Sequence, residues 1–265
     1  MLNATTTHAL PLKQLVSVLK DLVVDCVIHC KPEGLFLQAM DASHVAMCTF
    51  QLDASGFESY QCDTEFDIGL NMPSLERILR GAKKDDSLSL HAEMEGTVLE
   101  IRCSNTNTSK VSTYELKLMC IDSNQLSLGD IEYTTNIRMH SGSFSEVCRD
   151  MQLLGDTCLI ASSPTAVSFA VQGDIGNGQT TLQHHSSYCE TDSMKDTVSI
   201  DTSVSCELTF SLKYLAVFAK AMPLATTVEL SLQEDAPLEV KYIIQNTGRV
   251  CFYVAPKITE YTTHY

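Results

Sequence analysis

The sequence has no tryptophan, 12 glycines and 7 prolines in 265 residues, and no long apolar run. Hydrophobic residues account for 44% of the chain and charged residues for 19%, which excludes a disordered or collagen-like protein. No apolar run approaches the roughly 20 residues of a membrane span, and the N-terminus lacks the pattern of a secretory signal. At about 100–150 residues per domain, we expect two globular domains outside the membrane and the secretory pathway.

Cysteine is abundant, but no two cysteines have the C-x-x-C spacing of a redox or zinc motif. The chain has 11 cysteines, an odd number, and the closest two are Cys26 and Cys30. Because no secretory signal accompanies them, the simplest interpretation is reduced thiols that act as small core side chains.

Positive charge is scarce: 18 lysines and arginines stand against 33 aspartates and glutamates, a net charge of −15. Taken alone, this balance argues against a nucleic-acid-binding protein, because phosphate contacts require a positive surface. The total does not show where the positive side chains lie, however, and their location decides the question.

Period-two alternation rich in β-branched and aromatic residues predicts strands over most of the chain. Examples are Leu35–Met40, Val45–Leu52, Thr97–Cys103, Ala166–Val171, Thr227–Leu232 and Val250–Ala255. Four segments have helical spacing instead and begin near residues 10, 73, 142 and 211. Their near-equal intervals indicate a fourfold repeat of one strand, one helix and three strands, and hence two similar α+β domains. The alternative is an ordinary α+β protein with accidental spacing.

Seven of the basic residues lie on the polar faces of these four helices, opposite the apolar stripes. They are Lys13, Lys20, Arg77, Arg80, Arg149, Lys213 and Lys220. On one helix such charges ordinarily mean a solvated face, and Glu146 beside Arg149 breaks the pattern. At four repeat-equivalent positions, however, they indicate a basic surface on an acidic protein.

The sequence contains no G-x-S-x-G, Walker A, H-E-x-x-H or G-x-G-x-x-G pattern. Gly173–Gly178 stands between two predicted strands, and we interpret it as a hairpin turn rather than a phosphate loop. The acids and histidines that a metal could bind are Asp63, Glu65, Asp67, Asp85, Asp86, His184 and His185. Solvated strand and loop positions explain them better, so we predict no catalytic residue, no metal and no cofactor. A metal-dependent nuclease is the distant alternative.

Nine segments of this sequence resemble the eukaryotic DNA sliding clamps, the proliferating cell nuclear antigen family. They are Leu19–Leu22, Leu37–Met47, Gly56–Asp63, Ser74–Ala82, Tyr114–Met119, Cys148–Asp156, Gly176–Gly178, Leu208–Leu215 and Tyr253–Ile258. The segments follow one another at the family's spacing over nearly the whole chain. The resemblance fails mainly at the two ends and around residues 184–197.

The resemblance implies the DNA-clamp fold, with an N-terminal clamp domain (residues 1–117), a connecting linker (118–134) and a C-terminal clamp domain (135–265). It implies a nuclear, non-enzymatic homotrimeric ring that encircles double-stranded DNA without sequence specificity and raises polymerase processivity. The partners that it implies are DNA polymerase delta, the clamp loader, flap endonuclease, DNA ligase and other proteins with the family's docking motif.

The resemblance also implies three sets of site residues. The DNA-facing set is Lys13, Lys20, Arg77, Arg80, Lys110, Lys117, Arg149, Lys213 and Lys220, and the family's DNA-binding stretch falls on Gln61–Arg80. The partner-peptide pocket is Met40, His44, Val45, Met47, Leu126, Leu128, Tyr133, Pro237, Tyr253, Ala255 and Pro256. The trimer interface is Lys110, Tyr114, Ile175, Gly178, Thr180 and Leu182, on the predicted strands Lys110–Lys117 and Ile175–Gln183.

Four positions depart from the family's pattern. Glu146 stands where a basic residue is usual and Leu153 where a polar one is usual. Pro164 replaces the lysine used for ubiquitin attachment, and Gly129 replaces a linker proline. We therefore expect a divergent member, from a protist, with a weaker DNA contact and no lysine for that modification. A subunit of a heterotrimeric checkpoint clamp, which has the same fold, is the near alternative.

Overall fold

The computed structural model describes residues 1–105, 108–121, 129, 131–185, 198–202 and 204–257. The helices in these ranges are α1 (Leu10–Leu19), α2 (Met72–Leu79), α3 (Ser141–Gln152) and α4 (Leu212–Ala219). The strands of the first half are β1 (Leu2–Thr6), β2 (Asp25–Lys31), β3 (Gly34–Met40), β4 (Ala46–Asp53), β5 (Ser59–Cys62), β6 (Phe66–Asn71), β7 (Ser87–Ala92), β8 (Val98–Asn105) and β9 (Lys110–Lys117). Those of the second half are β10 (Thr135–His140), β11 (Thr157–Ser162), β12 (Ala166–Gly173), β13 (Gly176–Gln183), β14 (Val198–Thr202), β15 (Cys206–Ser211), β16 (Thr227–Leu232), β17 (Leu238–Ile244) and β18 (Gly248–Val254).

The order of these elements confirms the predicted fourfold repeat. One strand, one helix and three strands follow one another as β1-α1-β2-β3-β4, β6-α2-β7-β8-β9, β10-α3-β11-β12-β13 and β15-α4-β16-β17-β18. Strands β5 and β14 are additions that precede the second and fourth copies. The spacing of the helices therefore reflects an internal repeat and is not accidental.

Local capping explains why the helices begin where the sequence predicts. The Asn71 side chain accepts a hydrogen bond from the Ser74 backbone N–H at 3.0 Å, and Pro73 lies in the first turn of α2. The His140 ring accepts from the Gly142 N–H at 3.1 Å at the start of α3. These contacts satisfy N–H groups that have no partner inside the helix.

The chain divides into two compact units. The first unit is Met1–Ser127 with Ile243–Cys251, and the second unit is Leu128–Tyr242 with Phe252–Tyr265. Residues 122–128 and 130 of the predicted linker lie outside the described residues, so the proposed domain boundaries stay a prediction. None of the helices in the described ranges is long and apolar enough to cross a membrane.

The first unit contains one antiparallel sheet of order β5-β1-β7-β8-β9 and a second set of strands of order β6-β2-β3-β4. Both sheets and both helices share one apolar core. An apolar cavity of about 30 Å³ in this core touches Leu2 of β1, Leu15 of α1, Ile68 of β6, Leu75 of α2 and Leu99 of β8. The helices therefore cover the sheets with their leucine stripes, which leaves their charged faces outward.

The second unit repeats this arrangement with one sheet of order β13-β12-β11-β15 and strands of order β14-β10-β16-β17-β18, of which the end of β17 and the start of β18 belong to the first unit. Helices α3 and α4 pack on each other. Aromatic side chains fill part of the core: the rings of Phe218 and Phe252 stack with centroids 4.9 Å apart, and Tyr242 meets Phe252 edge-on at 6.3 Å.

The described cysteines are free thiols, and most of them are buried. Burial raises the pKa of Cys26 and Cys30 to about 12 and that of Cys158 to about 11. At these values the thiolate is scarce at neutral pH, so these side chains are unreactive core residues. The prediction of core cysteines is confirmed for the eight buried ones, whereas Cys120 is exposed and Cys206 is half-buried.

The glycine-rich segment Gly173–Gly178 joins two paired strands. Gly173 of β12 pairs with Gly176 of β13, and Asp174 and Ile175 form the turn between them. Gly176 has a φ of +153°, which other residue types rarely adopt. The predicted hairpin turn is confirmed.

Candidate functional site

Helices α1 and α2 of the first unit lie side by side, and Lys13 joins them. Its ammonium donates hydrogen bonds to the backbone carbonyls of Arg80 and Ala82, both at 2.8 Å. Carbonyls at a helix C-terminus lack partners within the helix and carry partial negative charge, so a lysine is a favourable partner. Lys13 is half-buried by this contact and anchors the end of α2.

Glu76 of α2 binds two of the predicted DNA-facing cations. Its carboxylate lies 2.8 Å from the Arg80 guanidinium and 3.8 Å from the Lys20 ammonium. The hydrogen bond from Arg80 is the main cause that lowers the pKa of Glu76. Glu76 is not among the predicted site residues, although a glutamate four residues before an arginine on one helix is a recognisable pairing signal.

Arg77 lies on α2 with its side chain exposed and has no ion-pair partner in the described part of the chain. Two further exposed lysines, Lys83 and Lys84, follow the end of α2 and were also missed. They stand in the loop after the helix, where helical periodicity gives no signal. This end of the first unit is therefore richer in cations than the sequence analysis predicted.

The helices of the second unit carry fewer cations. Arg149 of α3 is exposed and lies 3.6 Å from Glu146 and 3.2 Å from Asp150. Lys213 and Lys220 of α4 are both exposed, and the Lys213 ammonium lies 5.5 Å from the centre of the Tyr214 ring. On α3, Glu146 therefore contacts Arg149, the one predicted DNA-facing cation of that helix.

Strand β9 forms an edge of its sheet in the first unit. Its predicted site residues Lys110, Tyr114 and Lys117 are exposed. Tyr114 pairs with Ile101 of β8 and is 38% exposed. It shares a face of the strand with the buried Leu116, on the side that α2 covers.

Strand β13 forms an edge of its sheet in the second unit, and it holds three of the four predicted interface residues from that unit. Gly178 and Thr180 are half-buried, and Leu182 is buried. The fourth, Ile175, lies in the preceding turn and is 78% exposed. A side chain at Gly178 would meet Leu154, since a Cβ built there lies 2.4 Å from the Leu154 side chain.

In the first unit, the predicted pocket residues surround a loop that Asp41 organises. Asp41 is buried, and its carboxylate accepts hydrogen bonds from the N–H groups of Val45 and Ala46, both at 2.8 Å. It also accepts from Ser43. His44 is exposed with a left-handed φ of +56°, and Val45 is 38% exposed.

Two further pocket residues of this unit differ in burial: Met40 is half-buried and Met47 is buried. In the second unit, Tyr133 donates a hydrogen bond to the Pro237 carbonyl at 3.1 Å, and Tyr253 donates to the Glu239 carboxylate at 2.8 Å. Ala255 is exposed and Pro256 is half-buried. Leu126 and Leu128, the remaining members of the predicted set, lie outside the described residues.

Comparison with known proteins identifies the family. The model "Proliferating cell nuclear antigen, N-terminal domain" matches residues 1–126, and "Proliferating cell nuclear antigen, C-terminal domain" matches residues 127–257. The chain belongs to the proliferating cell nuclear antigen family. It is 40% identical over 260 residues to the proliferating cell nuclear antigen of Chaetomium thermophilum. The matched region covers 98% of this chain and 99% of that protein.

Membership of the proliferating cell nuclear antigen family confirms the predicted family, the two-domain clamp fold and the sliding-clamp function. The family implies DNA binding, self-assembly and association with DNA polymerases in general. Proliferating cell nuclear antigens are non-catalytic clamps, which fits the prediction that the chain is not an enzyme.

Three of the acids and histidines that a metal could bind have other partners in this clamp. Asp67 contacts the His29 ring at 2.6 Å, and Glu65 lies 3.7 Å from Lys31. His184 accepts a hydrogen bond from the Ile200 N–H at 3.0 Å. Across the described ranges, no group of three potential ligands is arranged to hold a metal ion.

Proposed function

We propose that this clamp closes as a homotrimer around double-stranded DNA in the nucleus and holds DNA polymerase delta, flap endonuclease and DNA ligase on it. One observation carries the proposal: helices at all four repeat-equivalent positions carry cations, on a chain of net charge −15. A protein with this charge distribution attracts phosphates at the helices and repels DNA elsewhere.

The contact between these helices and DNA would be made to phosphates. Lysine and arginine reach phosphates through long flexible side chains and read no base in doing so. The exposure of Arg77, Lys213 and Lys220 supports this role. Because phosphate contacts exchange readily with salt ions, a ring that is held on DNA by its closed shape can still slide.

The first prediction tests this role with the double variant Arg77→Glu and Lys213→Glu. We expect weaker association with a linear duplex and weaker stimulation of polymerase, with an unchanged fold and oligomeric mass. The slope of log K against log salt is negative, and each lost phosphate contact should make it shallower by about 0.9.

A matched control reverses Lys31 on β2 and Arg249 on β18, which changes the net charge equally but leaves the helices intact. This control should bind DNA as the parent does. If the two double variants lose the same affinity, total charge and not the helix surface governs binding, and the proposal is wrong.

We further propose that partner proteins bind through a short motif with aromatic anchors, and that the loop carrying His44 and Val45 contacts that motif. The support is the exposure of these two side chains on a loop whose backbone the buried Asp41 holds in place. A preorganised apolar surface loses little conformational entropy on binding. The predicted residues of the second unit have the same proposed role.

A further inference from the structure

Five of the nine cations predicted to contact DNA differ in whether a carboxylate binds them. Glu76 binds Arg80 and Lys20, and Arg149 lies 3.6 Å from Glu146 and 3.2 Å from Asp150. Arg77 and Lys213 have no carboxylate partner within the ranges that the structure describes. The predicted DNA-facing cations are therefore available to a phosphate to different degrees.

We propose that Glu76, and Glu146 in the same way, competes with DNA phosphates for these cations and so weakens the clamp's hold on the duplex. The inference rests on the proposed DNA-facing role of the helices. In this proposal the two glutamates limit the affinity of the helix surface for DNA, so that the ring can slide along the duplex.

The geometry of the Glu76–Arg80 pair supports direct competition. The Arg80 Nε and Nη2 atoms both donate to the Glu76 carboxylate, at 3.3 and 2.8 Å. A guanidinium presents the same two-pronged donor arrangement to a phosphate. Arg80 therefore cannot make its best contact with DNA until it leaves Glu76.

The exposure of the three side chains shows which partner can move. The Glu76 side chain is 13% exposed, whereas that of Arg80 is 67% exposed and that of Lys20 is 28% exposed. The guanidinium is the solvent-facing member of the pair, so it is the group that a phosphate can reach. Glu76 keeps the Lys20 ammonium as a partner when Arg80 leaves, which limits the cost of the exchange.

Such a competitor has a consequence for sliding. When the ring advances along DNA, each cation must leave one phosphate before it meets the next. A carboxylate within reach gives the cation a partner during that interval, so release from the phosphate is easier. The equilibrium affinity falls for the same reason, which a closed ring tolerates because its shape retains the DNA.

The second prediction uses Glu76→Gln, which removes the charge and keeps the shape of the side chain. We expect the affinity for a short linear duplex to rise about threefold to tenfold at low salt, with a salt slope steeper by up to about 2 as two cations become available. Fluorescence anisotropy over a series of salt concentrations measures both quantities. Glu146→Gln should give a smaller rise, because Asp150 still lies 3.2 Å from Arg149, and it serves if Glu76→Gln does not fold.

Two controls accompany these variants. Glu76→Asp keeps the charge and should bind DNA nearly as the parent does. Glu93→Gln changes the net charge equally at an exposed residue in the loop after β7, outside the predicted DNA-facing residues, and it should leave the affinity unchanged.

The outcomes separate this inference from the proposed function. If Glu76→Gln and Glu146→Gln bind with the parent's affinity and slope while the Arg77 and Lys213 double variant loses binding, the competition is wrong and the DNA-facing role stands. If none of these variants differs from the parent, both proposals fail. A rise that Glu93→Gln reproduces would reflect total charge and would also overturn the inference.

Discussion

At the scale of single residues, two tyrosine hydroxyls show how much a buried polar group depends on its partner. The Tyr60 hydroxyl lies 2.6 Å from the Lys31 carbonyl oxygen and 2.8 Å from that of Gly34, and its one proton serves both acceptors. The Tyr242 hydroxyl is fully buried and has no hydrogen-bond partner among the described residues. Burial raises the pKa of Tyr242 well above its ordinary value, so this hydroxyl stays neutral.

The third prediction compares the two tyrosines. Tyr242→Phe removes an unpaired buried hydroxyl and should leave the free energy of unfolding unchanged or raise it by about 1 kcal/mol. Tyr60→Phe removes the donor that two carbonyls share and should lower the free energy of unfolding by about 1–2 kcal/mol. Urea unfolding at one fixed protein concentration measures both. A larger loss for Tyr242→Phe than for Tyr60→Phe would mean that the Tyr242 hydroxyl has a partner in solution.

Contacts distant in the chain explain why the sequence could not predict the role of each cation. Lys13 and Arg77 have the same pattern on their helices, but the Lys13 ammonium binds carbonyls 67 and 69 residues away. That contact depends on how α1 and α2 pack, and no local pattern contains it. Glu76 is different, since its spacing from Arg80 is local and could have been noticed.

At the scale of elements, the sequence predicts the helices and most strands well because their signals are local. Proline and asparagine mark the start of α2, and alternation marks strands such as β12 and β16. The burial of Met47 was harder to foresee. It lies on the face of β4 opposite the core residues Phe50 and Leu52, where the Gln38 amide lies 3.4 Å from its sulfur, and the strand's alternation contains no signal for that contact.

The fourth prediction concerns the loop between β3 and β4. Val45→Glu places a charge on an exposed side chain of this loop and should weaken binding of a peptide with two adjacent aromatic anchors by about tenfold or more. Folding should be unaffected, because Val45 is not part of the core. Fluorescence anisotropy with the labelled peptide measures the affinity.

The matched control for this loop is Met94→Glu, in the turn between β7 and β8. Met94 is 52% exposed and lies outside the predicted partner set, so the same charge there should not change peptide binding. Equal affinities for Val45→Glu and the parent would place the peptide elsewhere on the molecule.

At the scale of the whole molecule, a ring of identical chains needs an interface between two different edges of the chain. The rotation that this interface imposes between neighbours must close the ring. Strands β9 and β13 are edges of separate sheets, and edge strands offer unpaired backbone groups to another chain. Apolar side chains lie exposed beside both edges: Val111 and Tyr114 at the first, and Leu153 and Ile175 at the second. The repeat could be predicted from spacing alone, but the choice of these two edges came from the family resemblance.

The fifth prediction tests the proposed pairing of β9 of one protomer with β13 of the next. Tyr114 is a partly exposed aromatic on an edge strand, and aromatic side chains at an interface centre typically contribute about 2 kcal/mol or more to association. Because the same contact would recur at every junction, Tyr114→Ala should be a folded monomer in sedimentation at micromolar concentration, while the parent and Met94→Ala sediment as trimers. A Tyr114→Ala protein that stays trimeric, or a parent chain that is itself monomeric, would show that the ring does not close through this edge.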